Sequence, residues 1–199
     1  MKEEFAALRR HSKKHATRIE TKLNQLKNEQ EAPRMELKNK IIEAQKKIVE
    51  TLTECEINIG RLYEKYAARF PEAKDLWSTL SKVEETHANL LKTMHRIFDK
   101  GNIFYNLGKF GDAAIQPTID LINRSLKEAD APGFKAADAM KTGLKIESSI
   151  IDAHFYDIVD SDAPEFKIIA ARLSSETKHH AELIRHYFEK HIEDSGLQA

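Results

Sequence analysis

The sequence predicts an all-α fold, and three observations carry that expectation. Glycine (7) and proline (5) are scarce, and most of them sit where helices would have to stop. Apolar residues recur at three- and four-residue steps, whereas β-branched runs alternating every second residue are missing. A stretch in the first half of the chain recurs, at the same helical spacing, in the second half.

The elements follow in order. Residues 3–31 read as a charged helix whose thin apolar stripe is Phe5, Leu8, Ile19, Leu23 and Leu26. A solvated arm, docked on the body or on a second subunit, accounts for it better than a nucleic-acid or membrane helix. It lacks the Leu-rich aromatic face of the latter, and its Glu residues dilute any phosphate footprint. Pro33 separates this arm from a long helix over 35–70, where Ile41, Ile48, Leu52, Ile59, Leu62, Tyr66 and Phe70 keep a heptad-like rhythm. Pro71 opens a third helix that runs to 99. The glycine-rich stretch KGNIFYNLGKFGD (100–112) reads as a loop, and 113–129 as a crossover helix with Pro117 near its first turn. Helices over 134–160 and 165–193 complete the chain. Gly60 and Gly143 stand inside helical patterns and mark expected close packing. The implied organisation is an arm (1–34), a helical body (35–193) and a flexible tail (194–199).

The repeat decides how the body is built. Shifted by 93, residues 56–91 fall on 149–184 without a gap, and ten of 36 positions are identical, among them Tyr63/Tyr156, Pro71/Pro164, Leu80/Leu173 and His87/His180. Two like hairpins joined by one long connection predict a ferritin-like antiparallel four-helix bundle.

Composition excludes several function classes. Basic and acidic residues both number 32, so overall charge selects no partner. The distribution is uneven, since residues 1–50 hold 13 basic and 8 acidic side chains. One cysteine, Cys55, rules out an internal disulfide, a multi-thiolate zinc site and a four-cysteine iron centre. The opening MKEEFAALRRHSKKH has no apolar core of the signal-peptide kind, and no run is long enough to span a membrane. A cytoplasmic, reduced chain with neither nucleic acid nor membrane as partner is expected.

The apolar stripes of the body carry acids. Glu56 stands with Leu52, Ile59 and Tyr63. Glu84 and His87 share a face with Leu80 and Leu91, Glu147 stands with Leu144 and Ile151, and Glu176 with His179 repeats the Glu-x-x-His spacing. Unpaired buried carboxylates are costly, and a multivalent cation would neutralise them. One Glu from each of two helices plus Glu-x-x-His from each of the other two is the carboxylate two-metal arrangement of such bundles. Oxygen and imidazole donors without thiolate suit iron or manganese.

The stretch EINIGRLYEKYAARFPEAKDLWSTLSKVEETHANLL resembles the rubrerythrin/ferritin-like superfamily. There a helix Glu is followed by Tyr seven residues later, then by a short turn, then by Glu-x-x-His-Ala, and Glu56, Tyr63, Glu84 and His87 match residue by residue. The resemblance covers 36–193 and leaves the arm outside. It implies two iron ions (manganese being the alternative) in a carboxylate-bridged pair, Fe(II) oxidised by hydrogen peroxide or dioxygen, and a separate electron donor or Fe(II) itself as reductant. Tyr63 is the candidate catalytic residue, as a redox phenol or a donor to a metal-bound carboxylate; a core tyrosine with a satisfied hydroxyl is the plain alternative.

The second half departs from the pattern. In the gapless register His180 matches His87, and the two Glu positions become Ser149 and Thr177. In the other register Glu147 and Glu176 are the ligands, with His179 or His180. At 100° per residue the apolar phase favours Glu147 over Ser149 and His180 over His179. A complete two-metal site, a reduced or mononuclear site and a metal-free bundle all remain open. The last would make the chain a helical module for oligomerisation or docking. A homodimer or larger homo-oligomer is the default assembly.

Overall fold

The computed structural model describes the backbone of residues 2–99, 112–157 and 163–195, and the side-chain surroundings of 17–23, 25, 31, 33–97, 115–156 and 163–191. Every described element is helical, and no strand occurs among the described residues. No described helix is long and apolar enough to cross a membrane. The chain divides into two compact units, residues 1–43 and 44–199.

Helix α1 runs from Lys2 to Arg69. The expected break at Pro33 is absent, and the proline lies inside the helix. An interior proline costs about 3 kcal/mol through a lost hydrogen bond and a ring clash. Here helix formers flank it on both sides and residues 33–40 are exposed, so no tertiary packing constrains the helix there. In the first unit the described side chains up to residue 40 are exposed as well, with Ile19 59% and Leu23 50% exposed, and Ile41 and Ile42 are half-buried.

In the second unit α1 turns apolar on one face. Ile48, Leu52, Ile59, Leu62, Tyr66 and Phe70 are buried, as the rhythm predicts. Phe70 leaves the helix, Pro71–Ala73 form a short 3-10 turn with proline at its start, and α2 follows over Lys74–Asp99. The expected loop at 100–112 lies outside the described residues except for Asp112, which opens α3 (Asp112–Glu128). Of the tail expected over 194–199, Asp194 and Ser195 belong to the last helix, and 196–199 lie outside the described residues. Helix α4 (Ala136–Asp152) begins where Lys135 N donates to the Asp138 carboxylate at 2.9 Å, and α5 spans Pro164–Ser195.

The core is shared by α1, α2, α4 and α5, and α3 adds Ile115 and Ile122 to it. Trp77, Tyr63, Tyr66, Leu80, Ile146, Leu173 and Ile184 are fully buried, each worth about 1.5–3 kcal/mol when apolar surface leaves water. Arg69 ties the end of α1 to the α3–α4 connection. Its guanidinium donates to the carbonyls of Ala129, Ala131 and Phe134 at 2.5, 2.8 and 3.0 Å.

The helix expected over 134–160 stops at Asp152. Ala153 and His154 form a turn in which His154 takes a left-handed φ of 49°, and Phe155–Asp157 make a 3-10 turn. The reason lies in helical phase. Tyr63 stands seven residues after Glu56, about 20° short of two full turns, so one helix face carries both. Tyr156 stands nine residues after Glu147, about 180° away in an unbroken helix. The break lets Phe155 and Tyr156 turn inward, where both are buried.

Candidate metal centre

Four helices deliver ligand-type side chains to one buried volume. Helix α1 brings Glu56, α2 brings Glu84 and His87, α4 brings Glu147 and α5 brings His180, none more than 2% exposed. Glu84 sits at the middle. Its Oε2 lies 2.9 Å from His87 Nδ1 and its Oε1 lies 2.8 Å from His180 Nδ1. The two imidazoles stack at 5.1 Å and 15°. Glu56 Oε2 approaches His87 Nδ1 to 3.8 Å, and Glu147 Oε1 approaches His180 Nδ1 to 3.7 Å. Glu84, His87 and His180 can each offer a donor atom with all of them within 4.8 Å of one another.

A pair of tyrosines holds the outer carboxylates. Tyr63 OH donates to Glu147 Oε1 and Tyr156 OH donates to Glu56 Oε1, both at 2.6 Å. Each tyrosine therefore serves the glutamate of the other hairpin. Tyr63 was legible as a site residue, whereas Tyr156 enters the site unannounced. The repeat supplied the signal, because Tyr156 is the match of Tyr63 under the shift of 93.

The remaining expected ligands divide. His180, not His179, reaches the cluster, since His179 is 64% exposed and faces Glu182 at 3.9 Å. One residue along a helix turns a side chain by about 100°, so adjacent histidines cannot share a face. Glu176 reaches only the rim: it is 32% exposed, its Oε2 is 3.0 Å from His87 Nε2, and Arg172 donates to its Oε1 at 2.8 Å. Ser149 faces α3 and bonds Thr118 at 2.6 Å. Thr177 is buried in the position that Glu84 holds in the first hairpin, 3.3 Å from Tyr156 OH. His154, in the turn after α4, is exposed.

The cluster's protons follow from burial and pairing. Burial opposes a charge on His87, but the carboxylates of Glu56 and Glu84 outweigh it and raise the imidazole to about 11. Burial likewise opposes His180, and Glu147 and Glu84 lift it to about 9. Burial raises Glu56 to about 7, with His87 opposing and the charge of Glu84 adding. Burial and Glu147 push Glu84 upward too, but the close imidazoles of His180 and His87 prevail and leave it low. Burial, with Glu56 and Glu54, lifts the Cys55 thiol to about 12, which removes thiolate chemistry beside the site.

Scans of this chain against protein-family models, curated proteins and solved structures returned no match. The site is therefore read from its own geometry.

That geometry leaves donors over. Glu56 Oε2, Glu84 Oε1 and His180 Nδ1 are buried without a hydrogen bond. The 2.8 Å approach of the last two lacks the alignment a bond needs. Orphaned buried polar atoms cost about 1–3 kcal/mol each. Two of them, Glu84 Oε1 and His180 Nδ1, lie together, and Glu56 Oε2 stands 3.8 Å from His87 Nδ1; all are metal-ligand types, and such a donor set fits a bound cation.

Proposed function

We propose that residues 44–199 form a ferritin-like antiparallel four-helix bundle, and that it binds two Fe(II) ions and oxidises them with hydrogen peroxide or dioxygen. The observation that carries this reading is the placement of Glu84. Its two carboxylate oxygens each face a different Nδ1, of His87 and of His180, and each imidazole has a further glutamate behind it. Two ligand sets share one carboxylate: Glu56, Glu84 and His87 on one side, Glu147, Glu84 and His180 on the other. Oxygen and imidazole donors select iron or manganese over softer metals.

Bound there, Fe(II) would supply one electron per ion, so two ions match the two-electron reduction of peroxide to water. The chain's own residues do the rest. Tyr63 and Tyr156 orient the outer glutamates through their 2.6 Å bonds. Glu176 at His87 Nε2 holds the proton on that nitrogen and turns Nδ1 toward the ligand position. His87 and His180 give up protons as a cation enters, because ligands bind deprotonated. Thr177 leaves the second hairpin without the carboxylate that Glu84 supplies to the first, so Glu84 would be the one carboxylate available to both ions.

A second reading has its own support. Raised as they are, the two imidazoles can carry positive charge themselves and neutralise the carboxylates. The chain would then be a metal-free helical module for docking or oligomerisation. Anaerobic Fe(II) titration with metal analysis separates the two. About two equivalents per chain are expected, with proton release. Glu84→Gln, which keeps the shape of the side chain, is expected to abolish binding at both positions, and His180→Ala at one. No binding by the reduced, folded chain would establish the metal-free module.

A further inference from the structure

The turn that ends α4 borders a cavity of about 200 Å³. Its apolar floor is Ile150 and Phe155, both buried, with Ile151 half-buried beside them. His154 and Lys178 also line it and are exposed, so they mark the mouth. Tyr156 and Thr177 are buried and mark the inner end. The repeat explains the space. In the first hairpin Thr177 is matched by Glu84 and Ser174 by Ser81, and there a Cβ on Gly60 would already touch Glu84 Cβ and Ser81 O at 3.5 Å. In the second hairpin the match of Gly60 is Ala153, which lies in the turn where the helix has ended, and a short threonine replaces the glutamate.

The inner end is short of protons, not of acceptors. Tyr156 OH donates its only proton to Glu56 Oε1 at 2.6 Å, and Thr177 Oγ1 donates its own to Leu173 O at 2.9 Å. The two hydroxyl oxygens stand 3.3 Å apart, beyond the usual span of about 2.5–3.0 Å for an O–H···O bond, and neither has a proton left for the other. A hydroxyl oxygen accepts as well as donates, so both keep acceptor capacity at a buried wall. Water satisfies such acceptors but gains nothing against Ile150 and Phe155. A molecule with an apolar body and an O–H end satisfies both.

We propose that this cavity binds a small apolar molecule carrying one neutral hydroxyl, of the size of a phenol. Its body covers Ile150 and Phe155, and its O–H donates to the Thr177 and Tyr156 oxygens. Size selects the class, since an apolar cavity of about 150 Å³ holds benzene and this one is somewhat larger. Charge selects the head group. A carboxylate would set acceptors against acceptors, and an ammonium donor would have to pass the Lys178 cation at the mouth. The site needs no metal and stands apart from the function proposed above.

Titration of the metal-free protein with phenol and with toluene, followed by the methyl NMR signals of Ile150 and Ile151, tests the site. Phenol is expected to saturate with a dissociation constant below about 1 mM, with its ring protons in nuclear Overhauser contact with Ile150 and Phe155. Toluene, of similar size but without the donor, is expected to bind roughly three- to tenfold more weakly. Thr177→Val keeps the shape of the side chain and removes an acceptor; it is expected to abolish most of that preference and to leave toluene binding as it was. Ile151→Trp, at a half-buried position, fills the cavity and is expected to abolish both titrations while helicity stays native. No saturable shift at Ile150 means a solvent-filled pocket and overturns the proposal. So does phenol binding no tighter than toluene, a preference undiminished in Thr177→Val, or a titration that Ile151→Trp leaves unchanged. Failure of Fe(II) binding touches none of these outcomes.

Discussion

The two hairpins reach the same cluster by different means. In the first, Glu56, Tyr63, Glu84 and His87 all lie on uninterrupted helix, and phase alone turns them inward. In the second, Glu147 and His180 lie on helix, but Tyr156 arrives on a 3-10 turn after the left-handed His154, and Thr177 replaces the central carboxylate. The contacts are nonetheless paired. Each tyrosine bonds the opposite glutamate at 2.6 Å, and each imidazole faces one oxygen of Glu84. What is kept between the halves is the set of polar contacts at the centre, not the backbone that delivers them. The first hairpin supplies the shared carboxylate and the aromatic contacts of Tyr63; the second supplies only its own terminal pair.

Proton balance gives the largest expected effect. In the metal-free protein His87 and His180 are raised to about 11 and about 9, and Glu56 to about 7. A raised folded-state value means that the folded state holds the proton more tightly than the unfolded one. The histidine contribution is whole below their ordinary value of 6.5 and disappears as pH rises through about 9 and then about 11. That of Glu56 is whole below 4.5 and disappears as pH rises through about 7. Glu84, held low, works in the opposite sense and loses its contribution as the medium becomes strongly acid. Metal-free stability is therefore expected to fall between about pH 6 and pH 10 by several kcal/mol, since each tenfold difference in proton affinity between the folded and unfolded states is worth about 1.4 kcal/mol. Denaturant melts across that range measure it. If the ligand sets bind metal, anaerobic Mn(II) flattens the alkaline limb, because the cation then does what the protons did.

The tyrosines test whether the halves are equivalent. Tyr63→Phe and Tyr156→Phe each remove a hydrogen bond to a buried carboxylate, at an expected cost of about 1.5–3 kcal/mol apiece. Equal losses of denaturation midpoint would show that the two contacts are matched in energy as well as in length. Hydrogen exchange should separate them. Tyr156→Phe is expected to loosen the backbone at 153–157, which that bond anchors, whereas Tyr63→Phe leaves its helix protected. A second variant sharpens the asymmetry. Thr177→Glu would give the second hairpin a central acid, lowering metal-free stability at neutral pH by about 1–3 kcal/mol through an unpaired buried carboxylate while tightening metal binding, as read by competition with a chelator. Weaker binding would show that one bridge is what the site is built around.

Much of this was legible in the sequence where phase alone decides position. Glu56, Glu84, His87 and Glu147 lie on apolar stripes and are buried, and phase preferred His180 to His179, as the structure has it. Each register of the repeat holds for part of the second hairpin, and Glu176 of the second register stays at the rim. Glu147 stands 91 residues after Glu56 and Tyr156 stands 93 after Tyr63, and the turn at Ala153 and His154 absorbs the difference. No local pattern announces that turn, because Ala153 and His154 carry no breaker; burial of Phe155 and Tyr156 imposes it. The opposite error occurred at Pro33, a strong breaker that the solvated helix tolerates. Propensity failed at both places because packing, or its absence, set the outcome.

The smallest expected effects come from the glycines, which differ between the hairpins as the tyrosines do not. A Cβ at Gly60 would meet Glu84 Cβ and Ser81 O at 3.5 Å, ordinary contact distances. A Cβ at Gly143 would meet the Trp77 ring at 3.0 Å and Ile184 at 3.2 Å, and a buried indole between two tyrosines has little room to retreat. Gly60→Ala is therefore expected to be neutral or to gain up to about 1 kcal/mol of helix propensity. Gly143→Ala should lose about 1–3 kcal/mol to overpacking, with a shift in the emission of the single tryptophan as its signature. Were Gly143→Ala to stabilise the fold as much as Gly60→Ala, the indole would be free to move. The close packing that distinguishes α4 against Trp77 from α1 against α2 would then be slack rather than fitted.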